Sequence, residues 1–223
     1  MGFSIEWDER YREGTHLSVW PWSDLVSLVR RHCRQLGATS RVLELGCGAG
    51  ANIPFFARLG VRYHGIEGSP AIVRNLHERF PELRAAIVVG DFTREQPFGS
   101  GFELIADRAA LTHNSTADIQ AALRLVWDSL APGGYFVGID WFSTRYDEFR
   151  RGQPGPDSYT RSGFTEGPFE GTGAVHFSDE AHLRSLFARF ELIFMEEKQS
   201  RTVIPADGSE FASWNLVARK PHA

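Results

Sequence analysis

The segment 42–50, Val-Leu-Glu-Leu-Gly-Cys-Gly-Ala-Gly, constrains the fold of this chain more than any other stretch. An apolar strand carrying an acid runs into three glycines at alternate positions, Gly46, Gly48 and Gly50, and the apolar spacing that follows is that of a helix. Without a Cβ, glycine lets the backbone turn sharply and lets a ligand come close, and the first turn of the following helix offers unpaired N–H groups. An ordinary strand-to-helix turn does not need three such residues, each of which loses more conformational entropy on folding than any other type. The segment therefore predicts a parallel sheet with a ligand cradle at the carboxyl end of its first strand.

The rest of the chain carries the matching rhythm. Apolar runs at 42–45, 63–66, 86–89, 103–106 and 135–139 read as strands, and the intervals between them are long enough for crossover helices. Trp22, Leu25, Val26, Val29, Cys33 and Leu36, between Pro21 and Gly37, give an amphipathic helix over about 22–36. Ile119, Ala122, Leu123, Val126 and Leu130 share one face of a helix over 116–130 that stops at Pro132-Gly133-Gly134. Ser178 is the expected N-cap of a later helix, with Asp179 and Glu180 in its first turn and Leu183, Leu186 and Phe187 facing inward. Runs near 190–196 and 211–219 flank a turn at 205–208 and predict an antiparallel hairpin. The fold class is α/β: a Rossmann-like doubly wound sheet, mostly parallel, with a C-terminal antiparallel hairpin, an N-terminal helical flap and a lid insertion. One domain is expected over 1–223, with the flap and first helix at 1–40, the cofactor-binding core at 41–140, the lid or substrate insertion at 141–177, and the last helix and hairpin at 178–223.

A chain of 223 residues with 42% hydrophobic content is long enough for one core that buries roughly 70% of the unfolded surface, and it leaves no length for a separate substrate domain. The net charge of −4 and pI near 6.1 give no basic footprint for nucleic acid. No apolar run approaches the roughly 18 residues of a membrane span, and the acidic N-terminus is unlike a signal peptide, so a cytoplasmic protein is expected. The two cysteines, Cys33 on the helix stripe and Cys47 in the glycine turn, read as small buried thiols rather than a disulfide framework.

Two cofactor classes use such a turn. Gly46, Gly48 and Ala51 also satisfy the dinucleotide pattern, and Glu67 lies about the right distance downstream to hold a ribose hydroxyl. Three features favour S-adenosylmethionine. Glu44, two positions before Gly46, suits a cationic aminoacyl group and not a pyrophosphate. Asp91-Phe92 after the third strand offers an acceptor for an adenine amine and a ring for its face. Leu130-Ala-Pro-Gly-Gly-Tyr-Phe-Val ends one helix and launches another strand.

Together these residues resemble the seven-strand, Rossmann-like S-adenosylmethionine-dependent methyltransferases, over about 41–220. The resemblance implies that Glu44, Gly46, Gly48 and Gly50 hold the methionine part of the cofactor. It gives the ribose to Glu67 with Gly68 beside it, the adenine to Asp91 and Phe92, and the crevice where cofactor and substrate meet to Asp107. The variable N-terminus of such enzymes often closes over the cofactor. Phe3, Trp7 and Tyr11, spaced by four and followed by His16, Trp20 and Trp22, fit such a flap with Tyr11 as its polar handle, and equally fit an aromatic stripe docked on the core. Asp107-Arg-Ala-Ala-Leu is similar to the branch that includes thiopurine methyltransferases, but the rest of that pattern is absent and its thiol substrates do not carry over. The segments 107–114, 138–143 and 211–217 resemble bacterial methyltransferases of unsettled substrate, some tied to surface-glycan or secondary metabolism.

Methyl transfer is an in-line displacement that needs nucleophile, methyl and sulfur on one axis, away from water. His113, just beyond the fourth strand, is the candidate base for a hydroxyl or ammonium acceptor; a helix-entry histidine bonding the backbone is the alternative. Asp140 and Trp141, at the end of the fifth strand, fall on the edge where ligands collect and are expected to touch substrate. His176 reaches the same edge or caps the Ser178 segment. Asp107 with Asp140 does not specify a hard-cation site, and no metal is expected. Between 152 and 173 there are six glycines and three prolines among several aromatics, which predicts a long irregular excursion acting as a substrate lid. The nucleobase-amine signature and the Pro-Cys nucleophile of cytosine methylation are missing. The expected partner is a small molecule with a hydroxyl, amine or thiol acceptor, with no nucleic acid and no membrane. A nicotinamide oxidoreductase and a catalytically silent cofactor-binding protein are the rival readings.

Overall fold

A computed structural model of the chain describes residues 17–206 and 208–222. Its centre is a seven-stranded sheet of β1 (Arg41–Leu45), β2 (Arg62–Glu67), β3 (Ile87–Val89), β4 (Phe102–Arg108), β5 (Leu130–Phe142), β9 (Glu191–Arg201) and β10 (Glu210–Arg219), in the order β3-β2-β1-β4-β5-β10-β9. The first five strands are parallel, and β10 runs antiparallel to both β5 and β9. The expected α/β class and C-terminal hairpin are therefore present. Order reverses between β1 and β4, so the strand ends diverge there and leave a crevice at the carboxyl edge.

Both faces of the sheet are covered, which is why β1 and β4 are almost wholly buried. On one face α1 (Ser23–His32), α2 (Ile53–Leu59) and α3 (Pro70–Arg79) pack Leu25, Val29, Phe56 and Leu76 against Val42, Leu104 and Val137. On the other, α4 (Thr116–Ser129) and α6 (Glu180–Leu186) bring Ile119, Leu123, Leu183 and Phe187 against Leu43, Ile105 and Phe136. No described helix is long and apolar enough to cross a membrane.

Several local expectations are corrected. Helix α1 ends four residues before the predicted 36, because Cys33 leaves helical geometry and Leu36 turns back to bond its carbonyl. The helix over 116–130 ends at Ser129, but Pro132-Gly133-Gly134, expected as its stop, lies inside β5, where Gly133 and Gly134 exchange backbone hydrogen bonds with Lys220. Ser178 is not an N-cap. Its backbone is occupied by Phe142, Thr144 and the Trp214 indole, and Asp179 caps α6 by accepting the His182 N–H at 2.8 Å.

The predicted irregular excursion is folded. Helix α5 (Glu148–Arg151) leads into a small antiparallel sheet of β6 (Gln153–Pro154), β7 (Thr160–Ser162) and β8 (Val175–His176). Phe164, Phe169, Val175 and Phe177 form a separate core with Phe142 and Ala109. The aromatics among the glycines and prolines are what order the segment. The Asp157 carboxylate anchors it, accepting N–H groups from Tyr159 and Thr160 and from Thr116 at the start of α4.

Candidate active site

The glycine turn after β1 adopts left-handed geometry at all three positions, with φ of 60° at Gly46, 50° at Gly48 and 78° at Gly50. Two of them also meet a neighbour where a Cβ would stand. A Cβ on Gly46 would lie 2.3 Å from that of Ala110, so this glycine lets the turn meet the segment after β4. The Gly48 N–H donates to Glu67 Oε2 at 2.8 Å. A Cβ on Gly50 would strike Leu76 at 2.6 Å; Gly50 serves the packing of α3 and is not on the cavity wall, contrary to expectation. Gly46 and Gly48 are on that wall.

The turn opens into a cavity of about 440 Å³ at the carboxyl edge of the sheet. Glu44, Glu67, Gly68, Asp91 and Phe92 line one side of it. Glu67 is fixed at the end of β2 by the N–H groups of Gly48 and, at 2.9 Å, Ser69. Each carboxylate oxygen has a second lone pair for further donors. Glu44 accepts from Asn52 Nδ2 and the Tyr63 hydroxyl, both at 2.7 Å, while Asn52 Oδ1 accepts the Trp22 backbone N–H at 3.1 Å. Burial pushes the Glu44 carboxyl up to about 7 against those two hydrogen bonds, with Asp107 and Glu67 adding repulsion. Asp91 is held by the backbone and hydroxyl of Thr93 and by Arg94.

The opposite side is aromatic. His113, on the single 3₁₀ turn Leu111–His113, meets Phe142 and Phe169 edge-on at centroid separations of 6.0 and 6.3 Å. Tyr146 and Phe211 continue this wall. Burial, with the Glu148 charge, raises the Tyr146 phenol to about 12, so it stays protonated. The wall reaches the turn through Ala109, a cavity residue with φ of 54°. Left-handed geometry costs such a residue about 1–2 kcal/mol. Its N–H bond to the Ile139 carbonyl at 3.1 Å helps to hold it there.

Asp107 and Asp140 are not on the cavity wall. Asp107 is fully buried and accepts N–H groups from Ala110 and Leu111 and, at 2.6 Å, the Trp141 indole. It shapes the segment after β4 from beneath, and burial raises it to about 7 against those donors. Trp141 is correspondingly buried rather than turned to substrate. Asp140, with φ of 57°, pairs with Arg108 instead. His176 is fully buried, 3.0 Å from His182 through their Nε2 atoms; it fastens the insertion to α6, and burial pushes it down to about 3. Tyr11, with Phe3, Trp7 and His16, lies outside the described residues. Among the described residues no group of three or more His, Cys, Asp and Glu is placed to hold a metal ion.

Residues 42–134 match the family model described as a methyltransferase domain. Over that segment the chain is similar to a methyltransferase domain. The sheet order and the antiparallel β10 are those of a seven-strand, Rossmann-like α/β fold. Its fold is similar to that of an S-adenosylmethionine-dependent methyltransferase from Methanosarcina mazei, with 19% identity, 86% of this chain and 97% of that one covered, and a TM-score of 0.68. It is also similar to the 1,6-didemethyltoxoflavin-N1-methyltransferase of Burkholderia thailandensis, with bound 1,6-didemethyltoxoflavin and S-adenosylhomocysteine (19% identity, 97% and 87% covered, TM-score 0.63). A third similar fold is the geranyl diphosphate C-methyltransferase of Streptomyces coelicolor (17% identity, 89% and 76% covered, TM-score 0.63). No curated protein sequence matches the chain.

Sequence reading missed Arg108, Asn52, Tyr146 and Phe211, all of which line the cavity, as do Trp22 from the expected flap and Phe169 from the expected lid. A signal existed for Arg108, a cation at the carboxyl end of the fourth strand beside Asp107. None existed for Phe211, whose place depends on how β10 enters the sheet.

Proposed function

We propose that the chain transfers a methyl group from S-adenosylmethionine to a small-molecule acceptor. The observation that carries this reading is Glu67, whose carboxylate is fixed by the Gly48 and Ser69 N–H groups beside the glycine turn and stands in the cavity ready to accept ribose hydroxyls. Asp91 and Phe92, one strand further out, would take the adenine, and Glu44 with Gly46 and Gly48 the methionine part. When bound, the cofactor supplies an electrophilic methyl on a sulfonium; the protein's part is to align the acceptor and exclude water. The aromatic wall of Phe142, Tyr146 and Phe169 suits a flat or apolar acceptor, and similar folds acting on small metabolites support that class. His113 stands at this wall to remove a proton from a hydroxyl or ammonium acceptor. Asp107 and Asp140 act behind the wall, the first on the segment that carries His113. The insertion 141–177 serves as a cover contributing Pro168, Phe169 and Thr172 to the cavity. No observation favours nicotinamide chemistry.

Calorimetry with S-adenosylhomocysteine and with NAD tests the cofactor, and a metabolite-library screen for S-adenosylhomocysteine release tests the acceptor class. Tight NAD binding with no response to S-adenosylhomocysteine would overturn the reading.

A further inference from the structure

We propose that Arg108 forms a carboxylate-binding subsite of the cavity, held in a fixed pose by Asp140 and Trp22. Among the described residues lining the cavity, Arg108 is the single lysine or arginine. Its Nε donates to Asp140 Oδ2 at 3.1 Å, and its guanidinium carbon lies 3.8 Å from the centroid of the Trp22 ring. One edge and one face of the group are thus committed. The two terminal nitrogens make no hydrogen bond among the described residues, and they are the fork that matches a carboxylate with two parallel N–H bonds.

The pose is built from four elements. Asp140 donates its backbone N–H to Asn215 Oδ1 on β10 at 3.1 Å. Asn215 Nδ2 in turn donates to Asp24 at the start of α1, at 3.0 Å, and to Glu196 on β9. Trp22, which covers the guanidinium face, is pinned to Asn52. Lys198 pairs with Asp24 and feels the charge of Asp140, so a second cation stands behind the pair. The three acids on the cavity wall have partners other than Arg108: Glu44 has Asn52 and Tyr63, Glu67 has Gly48 and Ser69, Asp91 has Thr93 and Arg94. Arg108 therefore offers its remaining donors to a ligand, and a planar guanidinium braced on two sides loses little entropy in taking one. Asp140 is a positioning residue acting through Arg108.

The carboxylate has two possible sources, the aminoacyl tail of the cofactor and an acidic acceptor on the aromatic wall; the first rests on the proposed function. Calorimetry separates them. S-adenosylhomocysteine and 5′-methylthioadenosine, which lacks the aminoacyl tail, are titrated into wild type, Arg108→Gln, Arg108→Lys and Asp140→Asn. A cofactor carboxylate predicts that Arg108→Gln weakens S-adenosylhomocysteine by about ten- to a hundred-fold and leaves 5′-methylthioadenosine unchanged. Arg108→Lys and Asp140→Asn should lose less in the same direction, and they carry the test if Arg108→Gln fails to fold. An acceptor carboxylate predicts that the Arg108 variants spare both nucleosides but abolish the preference of the protein for benzoate over benzamide. Failure of wild type to bind S-adenosylhomocysteine sinks the proposed function alone, since the benzoate arm still reads Arg108. Unchanged discrimination in both arms, or a wild type that favours neither carboxylate, overturns the subsite.

Discussion

On the β1–β3 side of the cavity the polar groups come from short stretches of chain, at 44–48, 67–69 and 91–93, whereas the β4–β5 side gathers Arg108, Phe142, Phe169 and Phe211 from half the sequence. The first side is built on backbone: Glu67 is aimed by two N–H groups and Asp91 by a turn onto Thr93. The second is built on side-chain packing, with Phe142, Phe169 and Phe177 in one aromatic cluster. Backbone-fixed carboxylates suit a ligand of constant shape, while a wall of packed rings changes its contour with each substitution. The comparison teaches that changes on the first side should alter cofactor affinity and changes to the packed rings of the second should alter the acceptor.

The sharpest way to break this division is at His113. A positioned base is typically worth about a hundred-fold or more, so on an acceptor found by the screen, His113→Asn and His113→Ala should lower turnover by at least that much with cofactor affinity near wild type. Full activity in both would leave positioning as the whole of catalysis. Next in size, Glu67→Ala removes two charge-assisted acceptors from the opposite side. It should weaken S-adenosylhomocysteine by roughly tens-fold, and an unchanged Kd would remove Glu67 from the ribose site.

The pH dependence sharpens the same side. Glu44 is raised from an ordinary value of 4.5 to about 7 by burial, so between those values the folded chain holds a proton that the unfolded chain has released. Its contribution to stability is complete below pH 4.5 and fades as pH rises to about 7. A cationic aminoacyl group favours the ionised carboxylate, so affinity for S-adenosylhomocysteine should rise by up to about tenfold per unit toward pH 7 and then level off. Glu44→Gln should flatten that slope, and a slope retained in the variant would exclude Glu44 as its origin. The smallest effect belongs to the aromatic wall. Phe169→Leu keeps the apolar volume but loses ring contacts worth about 0.5–1.5 kcal/mol each; the KM of an aromatic acceptor should rise about two- to tenfold with the cofactor Kd unmoved. Equal loss of cofactor affinity would erase the distinction between the two sides.

The sequence by itself determined the α/β class, the parallel core, the hairpin and the segments that form the β1–β3 side, because periodicity, glycine geometry and a carboxylate at a strand end are local properties that survive without knowledge of the partners. Only the tertiary structure decided that Gly50 answers to Leu76, that Asp107 is spent on Ala110, Leu111 and Trp141, and that Asp140 faces Arg108. It also decided that the insertion folds on its phenylalanines, and that β10 enters between β5 and β9 and so brings Asn215 to the backbone of Asp140. A side chain at a strand end has either a cavity or a neighbouring element to point into, and the choice is set by what the rest of the chain packs beside it, which no local pattern encodes.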